Sequence, residues 1–87
     1  MDAIKALADL LTQTGHAHHQ AYIETDGFDP EWPTWYAGYL HDKLPEHIGK
    51  TLTKSQIIYH LVRLDIIYTT EEPTIPWPTY YAQDLLD

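Results

Sequence analysis

The chain has 87 residues, enough for one domain, and its thirteen acidic and five basic side chains give a formal net charge of −8. The acidic balance excludes direct binding to nucleic acid or anionic lipid, because both need clustered Lys and Arg. The chain has no cysteine, which excludes a disulfide or a thiolate metal site, so three Trp, seven Tyr and one Phe must supply much of the core.

The N-terminus lacks the basic start and continuous apolar stretch of a secretory signal, and no apolar run approaches the roughly 20 residues that span a bilayer. The sequence therefore predicts a cytoplasmic protein without a membrane partner.

Residues 2–25 are predicted to be helical, with Asp2 as the cap of the first turn. Gly15 falls on the apolar stripe of this segment, so it either breaks the helix or allows another element to approach closely. We expect one helix, weakened or bent near Gly15. The stripe follows the 3.6-residue period through Ile4, Leu7, Ala8, Leu11, His18 and Tyr22.

Residues 26–31 contain Asp-Gly and Asp-Pro turn signals and are predicted to be a loop. Trp32 precedes a proline and is expected to lie outside the helical region. Pro33 then suits the first position of a helix that runs to about Leu44, and Pro45 stops or restarts it.

Residues 53–69 form the strongest predicted helix, because Thr53 followed by Gln56 matches a capping box. Its apolar residues cover so wide an arc that we expect it to be central in the fold. Residues 70–76 are a proline-containing loop, and Pro78 opens a last helix that ends near Leu86.

A nine-residue motif occurs twice, 45 residues apart, with six identical positions. A repeat of this kind predicts repeated architecture. We expect a single all-α domain over 1–87, with four main helices arranged as two αα-hairpins related by an internal pseudo-two-fold axis, the halves being about 2–48 and 53–87. The copies are Trp32-Pro33-Thr34-Trp35-Tyr36-Ala37-Gly38-Tyr39-Leu40 and Trp77-Pro78-Thr79-Tyr80-Tyr81-Ala82-Gln83-Asp84-Leu85.

Four segments carry a resemblance over most of the chain: His18-His19-Gln20-Ala21-Tyr22, residues 29–37, residues 53–59 and Pro76-Trp77-Pro78. They resemble a group of small bacterial proteins of uncharacterised function that share the repeated Trp-Pro motif. The resemblance implies a bacterial family and no particular activity.

Six histidines are many for this length, and His16, His18 and His19 lie within four residues. Helical metal sites favour His at i and i+4, a spacing that this cluster lacks. His16 and His19 at i and i+3 are the only weak candidates, and they would need a further ligand from His41, His47 or His60. We predict no bound metal and no cofactor, with His18 packed against aromatic residues.

The acidic cluster before the first motif does not match a calcium-binding loop, because the glycine is misplaced and a proline interrupts it. Helix capping and solvation explain these residues more simply. The chain also lacks a phosphate loop and a nucleophile elbow, so we predict no catalytic residues and no enzyme. The cluster consists of Glu24, Asp26, Asp29 and Glu31.

The aromatic side chains either belong to the core or form a recognition surface. Trp32 and Trp77 are expected to be mostly buried near Tyr22 and Tyr68, respectively. Because the aromatic residues exceed what so small a core encloses, we predict a homodimer. The possible interaction surface comprises Trp32, Trp35, Tyr39, Tyr59, Trp77 and Tyr80.

These features predict a non-catalytic protein-interaction module that self-associates and binds an unknown protein partner. Two alternatives stay open. The first is a small-ligand or metal-binding protein that uses the His-rich end of the first helix. The second is an acidic inhibitor that mimics nucleic acid, which requires a one-sided acidic face.

Overall fold

The computed structural model describes residues 2–87, and the regular structure within them is entirely helical, which confirms the all-α prediction. A short 3-10 turn, Ile23–Thr25, follows the first helix. The helices are α1 (Ala3–Ala21), α2 (Trp32–Leu40), α3 (Pro45–Ile48), α4 (Lys54–Glu71) and α5 (Trp77–Leu86).

Helix α1 begins at the predicted cap, where Asp2 Oδ1 accepts hydrogen bonds from the backbone N–H groups of Ile4 and Lys5 at 3.0 and 3.2 Å. The helix ends at Ala21, four residues earlier than predicted. The chain then turns through left-handed conformations at Asp26 and Gly27, with φ of 56° and 87°. The apolar stripe includes Tyr22 and therefore extends past the end of the α-helix.

Gly15 neither breaks nor ends α1, which is continuous across it. A Cβ atom at this position would lie 3.4 Å from Trp77 Cζ2 and 3.4 Å from Tyr36 Oη. One aromatic side chain from each motif therefore lies against α1 at Gly15, at a distance that a Cβ atom would still accommodate, so this approach does not depend on the missing side chain.

Helices α2 and α5 both begin at the tryptophan of their motif, one residue before the predicted start. The prolines Pro33 and Pro78 therefore take the second helical position. They cost no hydrogen bond there, because the first four N–H groups of a helix have no partner within it. The expectation that Trp32 stays outside the helix is wrong by this one residue. Pro45 restarts the chain as α3.

Helix α4 has the predicted capping box: Gln56 N donates to Thr53 Oγ1 at 3.1 Å, and Thr53 N donates to Gln56 Oε1 at 2.9 Å. The prediction that α4 is central is wrong. It buries one stripe, Ile57, Leu61 and Leu64, because its neighbours cover it from one side. Its opposite side remains in solvent, with exposed fractions of 64% for Tyr59, 38% for Val62 and 59% for Ile66.

The two halves of the chain are interleaved. Helix α1 packs most extensively against α5, and α4 packs most extensively against α2, so each short helix lies mainly on the long helix of the other half. Pairing within each half, as in two separate αα-hairpins, is the weaker contact. The pseudo-two-fold axis stays a prediction. One core joins the helices, and its large members are Leu7, Leu10, Leu11, Leu40, Leu44, Ile57, Leu61, Leu64, Tyr81 and Leu85.

No helix within residues 2–87 has the length and apolar character needed to cross a membrane.

Candidate functional site

One cavity of about 310 Å³ is lined by residues from both copies of the repeated motif. In each copy of the motif, the residues at the first and fifth positions line the cavity. They are Trp32 and Tyr36 from α2, and Trp77 and Tyr81 from α5. Helix α4 closes the remaining side. The repeat therefore supplies two matched pairs of aromatic walls, and the two lining residues from α4 are Asp65 and Tyr68.

The rings around this cavity meet at steep angles. Trp32 and Tyr36 have centroids 5.2 Å apart at 78°, and the corresponding pair Trp77 and Tyr81 has centroids 5.2 Å apart at 70°. Tyr36 and Trp77 link the two pairs at 6.5 Å. Tyr68 and Tyr81 are 6.3 Å apart at 77°. Edge-to-face contacts of this kind are favourable, and they fix the rings relative to one another.

The phenols of Tyr36 and Tyr81 remain neutral at ordinary pH. Burial raises the pKa of Tyr36. Burial also raises the pKa of Tyr81, and the nearby Asp65 carboxylate raises it further because a second negative charge is unfavourable there. Among residues 2–87, Asp65 takes part in no ion pair, and none of the six lining residues is basic. The cavity thus combines ring faces with one uncompensated carboxylate.

A second arrangement lies at the histidine-rich end of α1. His18 Nε2 and Asp29 Oδ2 are 3.0 Å apart, and the two residues are only 7% and 9% exposed. As predicted, the His18 ring contacts aromatic rings, with centroid distances of 4.9 Å to Tyr22, 5.2 Å to Trp35 and 5.4 Å to Tyr36. The pair attaches the loop before α2 to the side of α1.

The carboxylate of Asp29 is held in its charged form. Burial acts to raise its pKa, but the hydrogen bonds from His18 and from the Glu31 backbone N–H, with the charge of His18, outweigh burial and lower the pKa. Burial and the neighbouring Asp29 charge raise the pKa of Tyr22. The prediction that capping and solvation explain Asp29 is therefore wrong. Its Oδ1 atom accepts from the Glu31 backbone N–H, and its Oδ2 atom binds a buried histidine.

The candidate metal ligands of the sequence do not meet at a common point. His16 is exposed, and His19 is exposed with its Nε2 atom 4.0 Å from Asp26 Oδ1. Within residues 2–87, no three His, Cys, Asp or Glu side chains are placed to hold a metal ion. His18, which lies between these two histidines in sequence, is already occupied by Asp29.

The six predicted interaction residues differ in their exposure to solvent. Five of them are partly buried, and Tyr59 alone is exposed. Trp35 stacks on Tyr39 at 5.5 Å and 16°, and the ammonium of Lys43 lies 4.2 Å from the centroid of the Tyr39 ring. Tyr80 lies against Tyr68 at 5.3 Å. The remaining two, Trp32 and Trp77, line the aromatic cavity.

Tyr59 belongs instead to the solvent-exposed face of α4, which we call the α4 stripe. Its members recur at intervals of three and four residues, all are exposed, and none is charged. They run along the whole helix: Ser55, Tyr59, Val62, Ile66 and Thr70.

Sequence reasoning missed Tyr36, Tyr81 and Asp65 as cavity residues. A signal was present for the tyrosines, since both occupy the fifth position of the repeat. No sequence pattern marks Asp65, because only the docking of α2 and α5 on α4 brings it to the same cavity as the two tryptophans.

Comparison with protein-family models, curated proteins and solved structures finds no match to this chain.

Proposed function

We propose that the protein is a non-catalytic interaction module that pairs with a second copy of itself through the α4 stripe. The observation that carries the proposal is the uncovered apolar side of α4 at Tyr59, Val62 and Ile66. A contiguous exposed apolar face on a small domain is typical of a protein interface, whereas single exposed apolar residues are not.

The charge distribution supports self-association at this face. A chain with a net charge of −8 repels its own copies over most of its surface. The α4 stripe contains no charged residue from Ser55 to Thr70, so two stripes meet without like charges placed opposite each other. The charge that repels two copies elsewhere is therefore absent where we place the contact.

The spacing of the stripe supports a two-fold arrangement. Helix α4 has 18 residues, and Val62 lies next to its midpoint. An antiparallel pair of α4 helices with the axis near Val62 sets Tyr59 of each copy beside Ile66 of the other. Each contact then occurs twice, as a two-fold interface requires.

We expect a weak dimer. Standard interfaces bury about 800 Å² per partner, and one helix face with three large apolar side chains supplies less. We therefore expect a dissociation constant in the micromolar range. Residues at the edges of the stripe would add further contacts. Higher salt should strengthen the dimer, because screening reduces repulsion between two chains of charge −8.

Sedimentation velocity of the native chain across the micromolar range tests the proposal. We expect the mass to rise from 10.1 kDa toward twice that value with increasing concentration. Ile66→Glu should keep the protein monomeric, because it places a carboxylate against the apolar Tyr59 ring of the other copy. Ile23→Glu is the matched control, since Ile23 is similarly exposed at 53% but lies outside α4.

Two outcomes would contradict the proposal. A native chain that remains at 10.1 kDa at high micromolar concentration excludes self-association in that range. Equal effects of the Ile66 and Ile23 substitutions on the dimer would place the interface elsewhere than on α4.

A further inference from the structure

We propose that the cavity between the two motifs binds a methylated ammonium group, carried by a small organic cation or by an alkylated lysine side chain. Five aromatic rings and one carboxylate line this cavity of about 310 Å³. The inference concerns the inner side of α4 and is independent of pairing through the α4 stripe.

The ring faces are the first part of the argument. An aromatic face carries partial negative charge, and a cation near the centroid is attracted to it, most strongly for Trp and then Tyr. The cavity is lined by two Trp and three Tyr, whose contacts with each other are tilted or edge-to-face. A group that presents methyl surface and positive charge on several sides at once uses several of these faces together.

The carboxylate is the second part. Asp65 lines the cavity, and within residues 2–87 it has no Lys, Arg or His partner. Its charge is felt inside the cavity, because it contributes to the raised pKa of Tyr81. A partly buried carboxylate without a counter-charge favours a cationic ligand and repels an anionic one.

The chemistry also excludes other occupants. A divalent metal ion needs several oxygen or nitrogen ligands, whereas this cavity offers one carboxylate and neutral phenols. A primary ammonium is also attracted to a ring face, but it brings three N–H donors, and the single carboxylate of this cavity is the only charged acceptor for them. A methylated ammonium has few or no donors to satisfy, so aromatic faces and one carboxylate suffice.

The walls are fixed before any ligand arrives. The Tyr68 hydroxyl donates to the Ile75 carbonyl at 2.7 Å, and the Tyr68 ring lies between those of Tyr80 and Tyr81. Tyr81 is 5% exposed within the core. Rigid walls reduce the ordering cost of binding, which matters for a ligand of few atoms.

Isothermal titration calorimetry on the native chain tests the proposal with three probes. Tetramethylammonium and choline represent the free cation, and Nα-acetyl-trimethyllysine amide represents a protein side chain. We expect saturable one-to-one binding with a Kd of about 1 mM or tighter. The neutral isostere 3,3-dimethylbutanol has the shape of choline without its charge and should bind at least about tenfold more weakly.

Asp65→Asn retains the size of the side chain and removes its charge. We expect it to weaken choline binding by about tenfold, while Asp9→Asn, which removes the same charge from an exposed position, leaves binding unchanged. Circular dichroism spectra and melting curves that match the native chain establish that both variants fold. Trp77→Phe keeps a smaller ring and should weaken binding less than Asp65→Asn.

The outcomes separate clearly. Equal affinity for choline and its neutral isostere, no saturable binding at millimolar concentration, or the same loss in the Asp65 and Asp9 variants would overturn the proposal. Tighter binding of the trimethyllysine probe than of choline identifies a protein side chain as the source of the cation. Comparable or tighter binding of choline identifies a free small cation.

Discussion

The two loops that precede the Trp-Pro motifs are attached to their long helices by different chemistry. The first loop is attached by an ionisable pair, His18 Nε2 and Asp29 Oδ2 at 3.0 Å, buried against α1. The second is attached by a neutral hydrogen bond from the Tyr68 hydroxyl to the Ile75 carbonyl at 2.7 Å on α4. The same structural task is thus performed by a pair that depends on pH and by a bond that does not.

The two copies of the motif also differ in what surrounds their tryptophans. Trp77 lies against Gly15 of α1 and contacts the rings of Tyr36 and Tyr81. Trp32 has one ring contact, with Tyr36, and sits at the loop end of the cavity. A sequence repeat therefore does not guarantee equal surroundings, because the residues that pack on each copy come from the opposite half of the chain.

Truncation of the motif tryptophans should cause the largest losses of stability, and Trp77→Ala should cost more than Trp32→Ala. Both tryptophans are partly buried, so we expect losses at or below the lower end of the ~3–5 kcal/mol typical of an enclosed Trp: about 3 kcal/mol for Trp77 and about 2 kcal/mol for Trp32. Urea unfolding followed by circular dichroism measures both. Equal losses within error would contradict the asymmetry of their surroundings.

The loop attachments give the next effect. Tyr68→Phe removes one hydrogen bond and should lower the free energy of unfolding by about 1 kcal/mol. Asp29→Asn should cost more, because it removes a charge-assisted bond to a buried histidine. Urea unfolding at pH 7 measures both variants. A smaller loss for Asp29→Asn than for Tyr68→Phe would show that the ionisable pair contributes little.

The pH dependence separates the two attachments further. The pKa of Asp29 in the folded protein lies below its ordinary value of 3.8, because hydrogen bonds and the His18 charge outweigh burial. A carboxyl group whose pKa is lowered by folding stabilises the fold at any pH above its pKa in the unfolded chain. This stabilisation is lost as the pH falls through its pKa in the folded protein. The stability difference between the native chain and Asp29→Asn should therefore be full above about pH 5 and shrink steadily below about pH 4.

The Tyr68→Phe difference serves as the control, and we expect it to stay constant over the same pH range. Urea unfolding at several pH values measures both differences. If the stability difference between the native chain and Asp29→Asn stays constant from neutral pH to below pH 3.8, the ordinary pKa of Asp, the Asp29 carboxylate does not stabilise the fold through its charge.

Gly15→Ala should have the smallest effect and should stabilise the protein. The added methyl group meets Trp77 and Tyr36 at 3.4 Å, an ordinary contact, while alanine favours a helix interior by up to about 1 kcal/mol over glycine. Gly27→Ala is the contrasting variant, because its φ is 87° and the methyl would lie 2.7 Å from His19 Nδ1. Thermal melting measures both variants, and a destabilised Gly15→Ala would contradict an ordinary contact between the added methyl group and the two aromatic side chains.

The helices follow from local features of the sequence. The 3.6-residue apolar period, the Asp2 cap, the Thr53–Gln56 capping box and the prolines after each motif tryptophan act over a few residues, and the structure follows them closely. His18 also behaves as its place on the apolar stripe predicts, because one helical face is set by spacing alone.

Which faces meet depends on the tertiary structure instead. The interleaved packing brought Asp65 to a cavity that two tryptophans also line, gave Asp29 a buried partner and left one side of α4 uncovered. A sequence pattern records that a face is apolar but not which element covers it, since burial depends on contacts between residues far apart in the chain. The wide apolar arc of α4 predicted a central helix for this reason, and the fold left Val62 and Ile66 of that arc in solvent.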